Sequence, residues 1–71
     1  MIWVIGGTKD SRIFLEKFAS ADKNIVVTTA TEYGGKLLEG LPVKVVSEKL
    51  PLENMRVFIE KNSINMIIDI S

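Results

Sequence analysis

The residues best placed to do chemistry are a glycine pair, Gly6 and Gly7, followed by Thr8, Ser11 and Arg12. They lie between an apolar strand and a helix, and a helix start has unpaired backbone N–H groups and the positive end of the helix dipole. Glycine has no Cβ, so an anion can approach the backbone closely. The hydroxyls and the guanidinium are further donors for phosphate oxygens. The pattern therefore predicts a nucleotide phosphate site at the start of the first helix.

The glycine pair also has a purely structural interpretation. Its spacing is not G-x-G-x-x-G, which is the usual dinucleotide-binding pattern. Gly6 and Gly7 can instead form a tight strand-to-helix turn, with Arg12 as a solvated surface charge. The surrounding fold makes phosphate binding the interpretation that we favour, because α/β proteins bind phosphate at such turns.

The end of the second predicted strand lacks a carboxylate. Enzymes that prefer a non-phosphorylated dinucleotide usually have Asp or Glu there, which binds the ribose and repels a 2′-phosphate. Here the sequence is threonine-rich, so Thr29 and Thr31 are candidate contacts with a phosphorylated dinucleotide. Glu32 follows Thr31 directly, and its carboxylate could bind the ribose, so binding of the non-phosphorylated dinucleotide is the alternative. Each threonine also has a structural role available, Thr29 as a β-branched strand residue and Thr31 as a helix N-cap.

Two more residues are expected near the carboxyl ends of the strands, beside the predicted phosphate site. Tyr33 either presents its ring to an adenine or a substrate or packs within the fold. Asp69, near the end of the fourth strand, either orients a ligand or caps the following turn. The chain has no Cys and no His, so thiolate nucleophiles and the commonest general base are absent. No metal-ligand set is recognisable, and catalytic residues cannot be assigned.

Composition gives the broad class. The chain has 71 residues, zero net charge, 46% hydrophobic residues and 25% charged residues, which is ordinary for a globular domain. One small domain of this size is not expected to be a complete enzyme. The charge balance indicates neither a nucleic-acid partner nor a membrane surface. No apolar run reaches the ~20 residues of a membrane helix and no signal peptide is recognisable, so we expect a cytoplasmic protein.

Apolar runs and helical periodicity alternate along the whole chain. Strands are predicted at 2–5, 25–29, 43–46 and 66–70, and helices at about 9–20, 32–39 and 51–61. Short connections between them favour right-handed crossovers and a parallel sheet. We therefore predict an α/β fold, a Rossmann-like open parallel sheet of four strands in the order 3-2-1-4 with helices on both faces. Ligands bind such sheets at the carboxyl ends of the strands, here between the first and fourth.

The fourth strand is predicted to lie at an edge of this truncated sheet. Residues 66–70 contain no proline or lysine and only one acid. Proteins normally cover an apolar edge of this kind. We expect either C-terminal strands beyond this chain or a second copy of the chain, giving a homo-oligomer, to cover it.

Three segments in order, 2–12, 26–34 and 66–71, resemble the N-terminal half of the precorrin-6A reductase family of corrin-ring biosynthesis. The family pattern G-G-T-x-x-A/S-R corresponds to Gly6, Gly7, Thr8, Ser11 and Arg12. The family segment I-D-A-T-H-P-F/Y corresponds in part to residues 68–71, where isoleucine and Ser71 replace the usual alanine and threonine.

The resemblance implies a two-lobed α/β reductase in which NADPH, or alternatively NADH, delivers hydride to a double bond of precorrin-6A or cobalt-precorrin-6A. It implies that the cofactor phosphates lie at the glycine turn. Tyr33 and Ser71 are the candidate substrate contacts. Residues 1–71 would then be the N-terminal dinucleotide-binding lobe, without the second lobe and inactive alone. The competing hypothesis is a non-catalytic nucleotide-binding or self-associating α/β module that pairs through its edge strand.

Overall fold

The computed structural model describes residues 1–48 and 50–70. Strands and helices alternate from end to end: β1 (Ile2–Gly6), α1 (Lys9–Phe18), β2 (Ile25–Thr29), α2 (Glu32–Lys36), β3 (Lys44–Val46), α3 (Leu52–Lys61) and β4 (Met66–Asp69). Within this part of the chain, no helix has both the length and the apolar character needed to cross a membrane.

The four strands form one sheet in which every pairing is parallel. Their order is β3-β2-β1-β4, so the predicted topology is confirmed. In the register, Val4 of β1 lies opposite Val27 of β2 on one side and Ile68 of β4 on the other. Because all strands run the same way, their carboxyl ends meet at one edge, which we call the carboxyl edge.

Helices cover both faces of the sheet, as the apolar strands predict. Adjacent strand residues point to opposite faces. Val4 belongs to a buried cluster with Leu15 of α1 and Leu38, which follows α2. Its neighbour Trp3 contacts the other layer, where its ring centroid lies 4.9 Å from that of Phe58 in α3. β1 is therefore enclosed between α1 and α2 on one side and α3 on the other.

Helix α1 is defined by specific groups at each end. Thr8 is its N-cap and forms a capping box with Ser11, whose backbone N–H donates to Thr8 Oγ1 at 3.2 Å. Such reciprocal pairing satisfies two orphan N–H groups. The helix ends at Phe18, earlier than predicted, because Ala19 is extended and Lys23 Nζ donates to the Phe18 carbonyl at 2.8 Å. A lysine at this end also interacts favourably with the helix dipole.

Helix α3 covers the sheet less completely than its sequence predicts. Pro51 was expected at the first helical position, but its ψ of 147° is extended and it is the N-cap. Leu52 shares the helical spacing of Met55, Phe58 and Ile59, which predicts a face toward the sheet, but at the first residue of the helix it is 82% exposed. Met55, Phe58 and Ile59 are partly buried, and no residue of α3 is fully buried.

Strand β4 lies at an edge of the sheet, as predicted. It pairs with β1 on one side, and no other strand of the described chain pairs with its other side. Met66 is 52% and Ile67 50% exposed. The α3 and β4 side of the molecule therefore presents apolar groups to its surroundings.

Candidate functional site

Three segments meet at the carboxyl edge: the turn after β1, the start of α2 after β2, and the end of β4. The β1 and β4 segments are joined directly, since Ile70 N donates to Ile5 O at 2.8 Å. Thr8 Oγ1 also donates to the Ile70 carbonyl at 3.2 Å. These bonds hold the start of α1 against the end of β4, at the point where the strand order reverses.

The two glycines of the turn are required by packing. Gly7 has a φ of +102°, and a Cβ placed on it would lie 3.0 Å from Thr29 Cβ. A Cβ on Gly34 of α2 would lie 3.0 Å from both Cα and O of Gly7. A Cβ on Gly6 would lie 2.9 Å from Ser11 Cβ. The turn and the first turn of α2 therefore pack backbone against backbone, as the structural interpretation of the glycine pair requires.

Ser11 is completely buried and acts inside this turn. Its Oγ accepts from the N–H groups of Gly7 and Thr8, each at 3.0 Å, and donates to the Thr8 carbonyl at 2.7 Å. Two of the backbone donors that the sequence offered to a phosphate are thus already paired. The next N–H groups are those of Lys9 and Asp10, at the first two positions of α1, where an α-helix supplies no acceptor. Within residues 1–48 and 50–70, no acceptor pairs with either.

Arg12, the predicted phosphate ligand, lies against α2. Its Nη1 donates to the carbonyls of Leu37 at 2.7 Å and Glu39 at 3.0 Å. Its Nε lies 3.3 Å from Glu16 Oε1. The guanidinium is therefore directed to the carboxyl end of α2 and not to the N–H groups at the start of α1.

The threonines after β2 also serve the fold. Thr29 is 2% exposed and its hydroxyl donates to the Thr31 carbonyl at 2.9 Å. Thr31 is exposed, and its Oγ1 accepts from Gly34 N at 3.1 Å as the N-cap of α2. Between them Ala30 is exposed. Thr29 and Ala30, at the end of β2, therefore leave this position without a carboxylate, as the sequence indicates.

Tyr33 lies in the first turn of α2 and is 66% exposed. It is the one aromatic side chain at the carboxyl edge that the described structure leaves open to solvent. Asp69 is the last residue of β4 and is exposed beside Ile5 in the register. The predicted substrate contact at Ser71 lies outside the described residues.

A cavity of about 170 Å³ opens beside these segments, on the α3 face of the sheet. Trp3 is part of its wall, and its Nε1 donates to Thr28 Oγ1 at 2.8 Å. The wall comes from the ends of β1 and β2, from the segment after β3 and from α3: Trp3, Ile5, Gly6, Thr28, Thr29, Ala30, Glu48, Leu50 and Met55. The cavity therefore lies over the ends of β1 and β2, whereas the sequence predicts the ligand between the first and fourth strands.

Sequence reasoning missed the contribution of the segment after β3. Glu48 and Leu50 line this cavity together with Met55 of α3. The usable signal was topological, because a parallel β3 also ends at the carboxyl edge and the residues after it must lie there. The described residues contain no group of three or more His, Cys, Asp or Glu side chains arranged to hold a metal ion.

The sequence matches known proteins over nearly all of its length. The family model for precorrin-6x reductase CbiJ/CobK matches residues 1–71. The chain is 31% identical over 70 residues to a cobalt-precorrin-6A reductase of Methanococcus maripaludis, which covers 96% of this chain and 28% of that protein. It is 36% identical over 67 residues to the cobalt-precorrin-6A reductase of Methanocaldococcus jannaschii, covering 93% of this chain and 27% of that protein. The chain thus spans less than a third of the curated relatives that it matches. No solved structure matches it.

Proposed function

This chain belongs to the precorrin-6x reductase family, and we propose that it forms the dinucleotide-binding lobe of such a reductase, with NADPH as the preferred cofactor and NADH as the alternative. The observation that carries the proposal is the position of the glycine turn and the α1 start. Both lie at the carboxyl edge of a β3-β2-β1-β4 sheet, beside the strand at which the order reverses. Ligands of open α/β sheets bind at such a position.

The residues at the start of α1 fit a phosphate. Thr8 caps the helix, and the N–H groups of Lys9 and Asp10 follow it with no acceptor in the described chain. The positive end of the helix dipole adds to their attraction for an anion. In the proposed site these two N–H groups hold the cofactor phosphate, while those of Gly7 and Thr8 stay bonded to Ser11.

The cavity over β1 and β2 fits the adenosine end of the cofactor. Its wall is largely apolar, with Trp3, Leu50 and Met55 available to pack against a flat base. Ala30 stands at the end of β2, where a carboxylate would repel a 2′-phosphate. The neutral residue at this position supports NADPH, whereas the carboxylate of Glu48 in the same wall opposes a 2′-phosphate, and NADH is therefore kept as the alternative.

The substrate proposal follows from the relatives, whose names give cobalt-precorrin-6A as their substrate. For the complete reductase we propose cobalt-precorrin-6A or precorrin-6A, reduced by the hydride that a bound reduced nicotinamide supplies. Tyr33, exposed at the carboxyl edge, offers an aromatic face to the macrocycle or to adenine. Ser71 stays a predicted contact. We propose that residues 1–71 by themselves bind the cofactor without turning over substrate.

The phosphate site can be tested by removing one backbone donor. Proline is well tolerated at the first helical position and has no N–H, and Thr8 before it is already extended with a ψ of 168°. Lys9→Pro should therefore keep the fold and weaken NADPH binding roughly tenfold, as expected for one hydrogen bond to a charged group. Lys9→Gln is the matched control, because it removes the charge and keeps the N–H.

Trp3, the one tryptophan of the chain, reports binding, since it lines the cavity. We expect NADPH to quench its emission with saturation in the parent chain and in Lys9→Gln, and to bind more weakly to Lys9→Pro. Equal affinities for the proline and glutamine variants would show that the N–H of Lys9 is not a phosphate ligand.

A second candidate function is self-association through β4. The half-exposed Met66 and Ile67 on an open sheet edge favour it, because such edges readily pair with another strand. A stable dimer whose mass and melting temperature do not change when NADPH or NADH is added would support a self-associating module over a cofactor-binding lobe.

A further inference from the structure

The guanidinium of Arg12 is occupied by the carboxyl end of α2. One nitrogen, Nη1, donates to the carbonyls of both Leu37 and Glu39, at 2.7 and 3.0 Å. Carbonyls at the end of a helix have no partner within it and carry the negative end of its dipole, so a cation stabilises them. Glu16 partly neutralises the same guanidinium from a distance of 3.3 Å. Arg12 thus joins α1 to the turn after α2.

Helix α2 needs such external support. It has five residues, of which Gly34 and Gly35 are two. A helix this short is not stable by itself, and glycine makes it less so. Its first turn packs on the glycine turn, where a Cβ on Gly34 would lie 3.0 Å from Gly7 O. Arg12 holds its other end, so α2 is fixed at two points to the β1–α1 unit.

The position of α2 determines where Tyr33 lies. This side chain is 66% exposed and stands one residue before the Gly34 contact. Movement of α2 relative to the glycine turn would therefore move Tyr33 relative to the proposed phosphate site. We infer that Arg12 is a positioning residue, which acts through α2 on Tyr33 and does not bind the cofactor phosphate. The part of this inference that concerns the cofactor rests on the proposed function.

The chain offers a matched control for removing this arginine. Arg56 forms the same type of pair with Glu60 four residues later, also at 3.3 Å, but it lies on exposed α3 and bonds no carbonyl in the described chain. Arg12→Met and Arg56→Met each keep the aliphatic stem, which contributes packing, and remove the guanidinium. Arg12→Lys is the conservative variant, which keeps the charge and replaces the planar group by a single ammonium.

Amide hydrogen exchange tests the positioning role without a ligand. The N–H groups of Leu37 and Leu38 donate to the carbonyls of Tyr33 and Gly35, so their exchange reports opening of α2. We expect at least tenfold faster exchange at both in Arg12→Met, an intermediate increase in Arg12→Lys and no change in Arg56→Met. Unchanged exchange in both Arg12 variants would overturn the positioning role. If Arg12→Met does not fold, the exchange rates of Leu37 and Leu38 in Arg12→Lys and in the parent chain decide whether Arg12 positions α2.

The salt dependence of NADPH binding tests the phosphate role separately. An ion pair with a phosphate steepens the loss of affinity as salt is raised, because salt screens it. We expect Arg12→Met to bind NADPH several-fold more weakly than the parent chain, with the same dependence on salt. A shallower dependence in Arg12→Met would identify Arg12 as a phosphate ligand and overturn the inference. If the parent chain binds neither NADPH nor NADH, the proposed function fails, and hydrogen exchange still decides whether Arg12 positions α2.

Discussion

At the scale of single residues, three glycines differ in whether a side chain would meet backbone strain, steric crowding or both. Gly7 has a positive φ and a crowded side-chain direction, Gly40 has a positive φ of +86° in open space, and Gly34 is crowded without a positive φ. Gly40→Ala should cost only the strain of that backbone conformation, about 1–3 kcal/mol. Gly7→Ala should cost more, because its Cβ also meets Thr29.

Urea unfolding of these alanine variants measures the difference. Gly34→Ala should be destabilised through contact with Gly7 and Thr29, without backbone strain, and the loss in Gly7→Ala should exceed that in Gly40→Ala. Equal losses for Gly7→Ala and Gly40→Ala would show that the glycine turn is not closely packed against Thr29. Unchanged stability in Gly34→Ala would show that it is not closely packed against α2.

Also at this scale, Asp22 is the described group with a clear pKa change. The Ser20 hydroxyl donates to Asp22 Oδ1 at 2.5 Å, and with the backbone N–H of Asp22 it lowers the pKa of this carboxyl below its usual 3.8. A lowered folded-state pKa contributes stability above the unfolded pKa, and this contribution is lost as the pH falls through the folded pKa. Ser20→Ala should therefore raise the pKa of Asp22, as followed by NMR titration. An unchanged titration curve would contradict the hydrogen bond.

At the scale of elements, the exposed side of β4 is the feature most open to alteration. Ile67 is half exposed on a strand that lacks a partner on one side within the described chain. Charged residues, lysine above all, block pairing at such edges. If the chain self-associates through β4, Ile67→Lys should convert a dimer to a monomer in sedimentation equilibrium. Val57→Lys, on exposed α3, is the matched control and should leave the mass unchanged. A dimer that persists in Ile67→Lys would place the contact elsewhere.

The elements also show what the sequence could predict. Apolar and β-branched runs, such as that of β2, which is buried at every residue, identified the strands. The short connections between strands and helices predicted their parallel order. The periodicity of α3 predicted a covered face, but Leu52 is exposed, since periodicity reports an apolar stripe and not whether a partner covers it.

Side-chain roles within the site were less predictable for a related reason. The motif correctly located the turn, but it could not distinguish a ligand contact from an internal bond. Ser11 and Thr29 are buried and bonded within the fold. The partners of Arg12 lie 25 and 27 residues away in sequence. A long-range bond of this kind depends on where α2 packs, which no local pattern reveals.

At the scale of the whole molecule, the proposed preference for NADPH rests on the charge at the end of β2. Ala30 is exposed there and lines the cavity. Ala30→Asp should weaken NADPH binding and strengthen NADH binding, because a carboxylate repels the 2′-phosphate and accepts bonds from the ribose hydroxyls. Ala30→Asn controls for size without charge and should keep the preference for NADPH.

The most direct test of the whole account is a calorimetric titration of the folded chain with NADPH and with NADH, in parallel with the Ala30→Asp variant. The account predicts saturable binding of both dinucleotides, tighter for NADPH in the parent chain and tighter for NADH in the variant. Absence of heat with either dinucleotide, from a chain shown to be folded, would contradict the proposal that this lobe binds the cofactor of a precorrin-6A reductase.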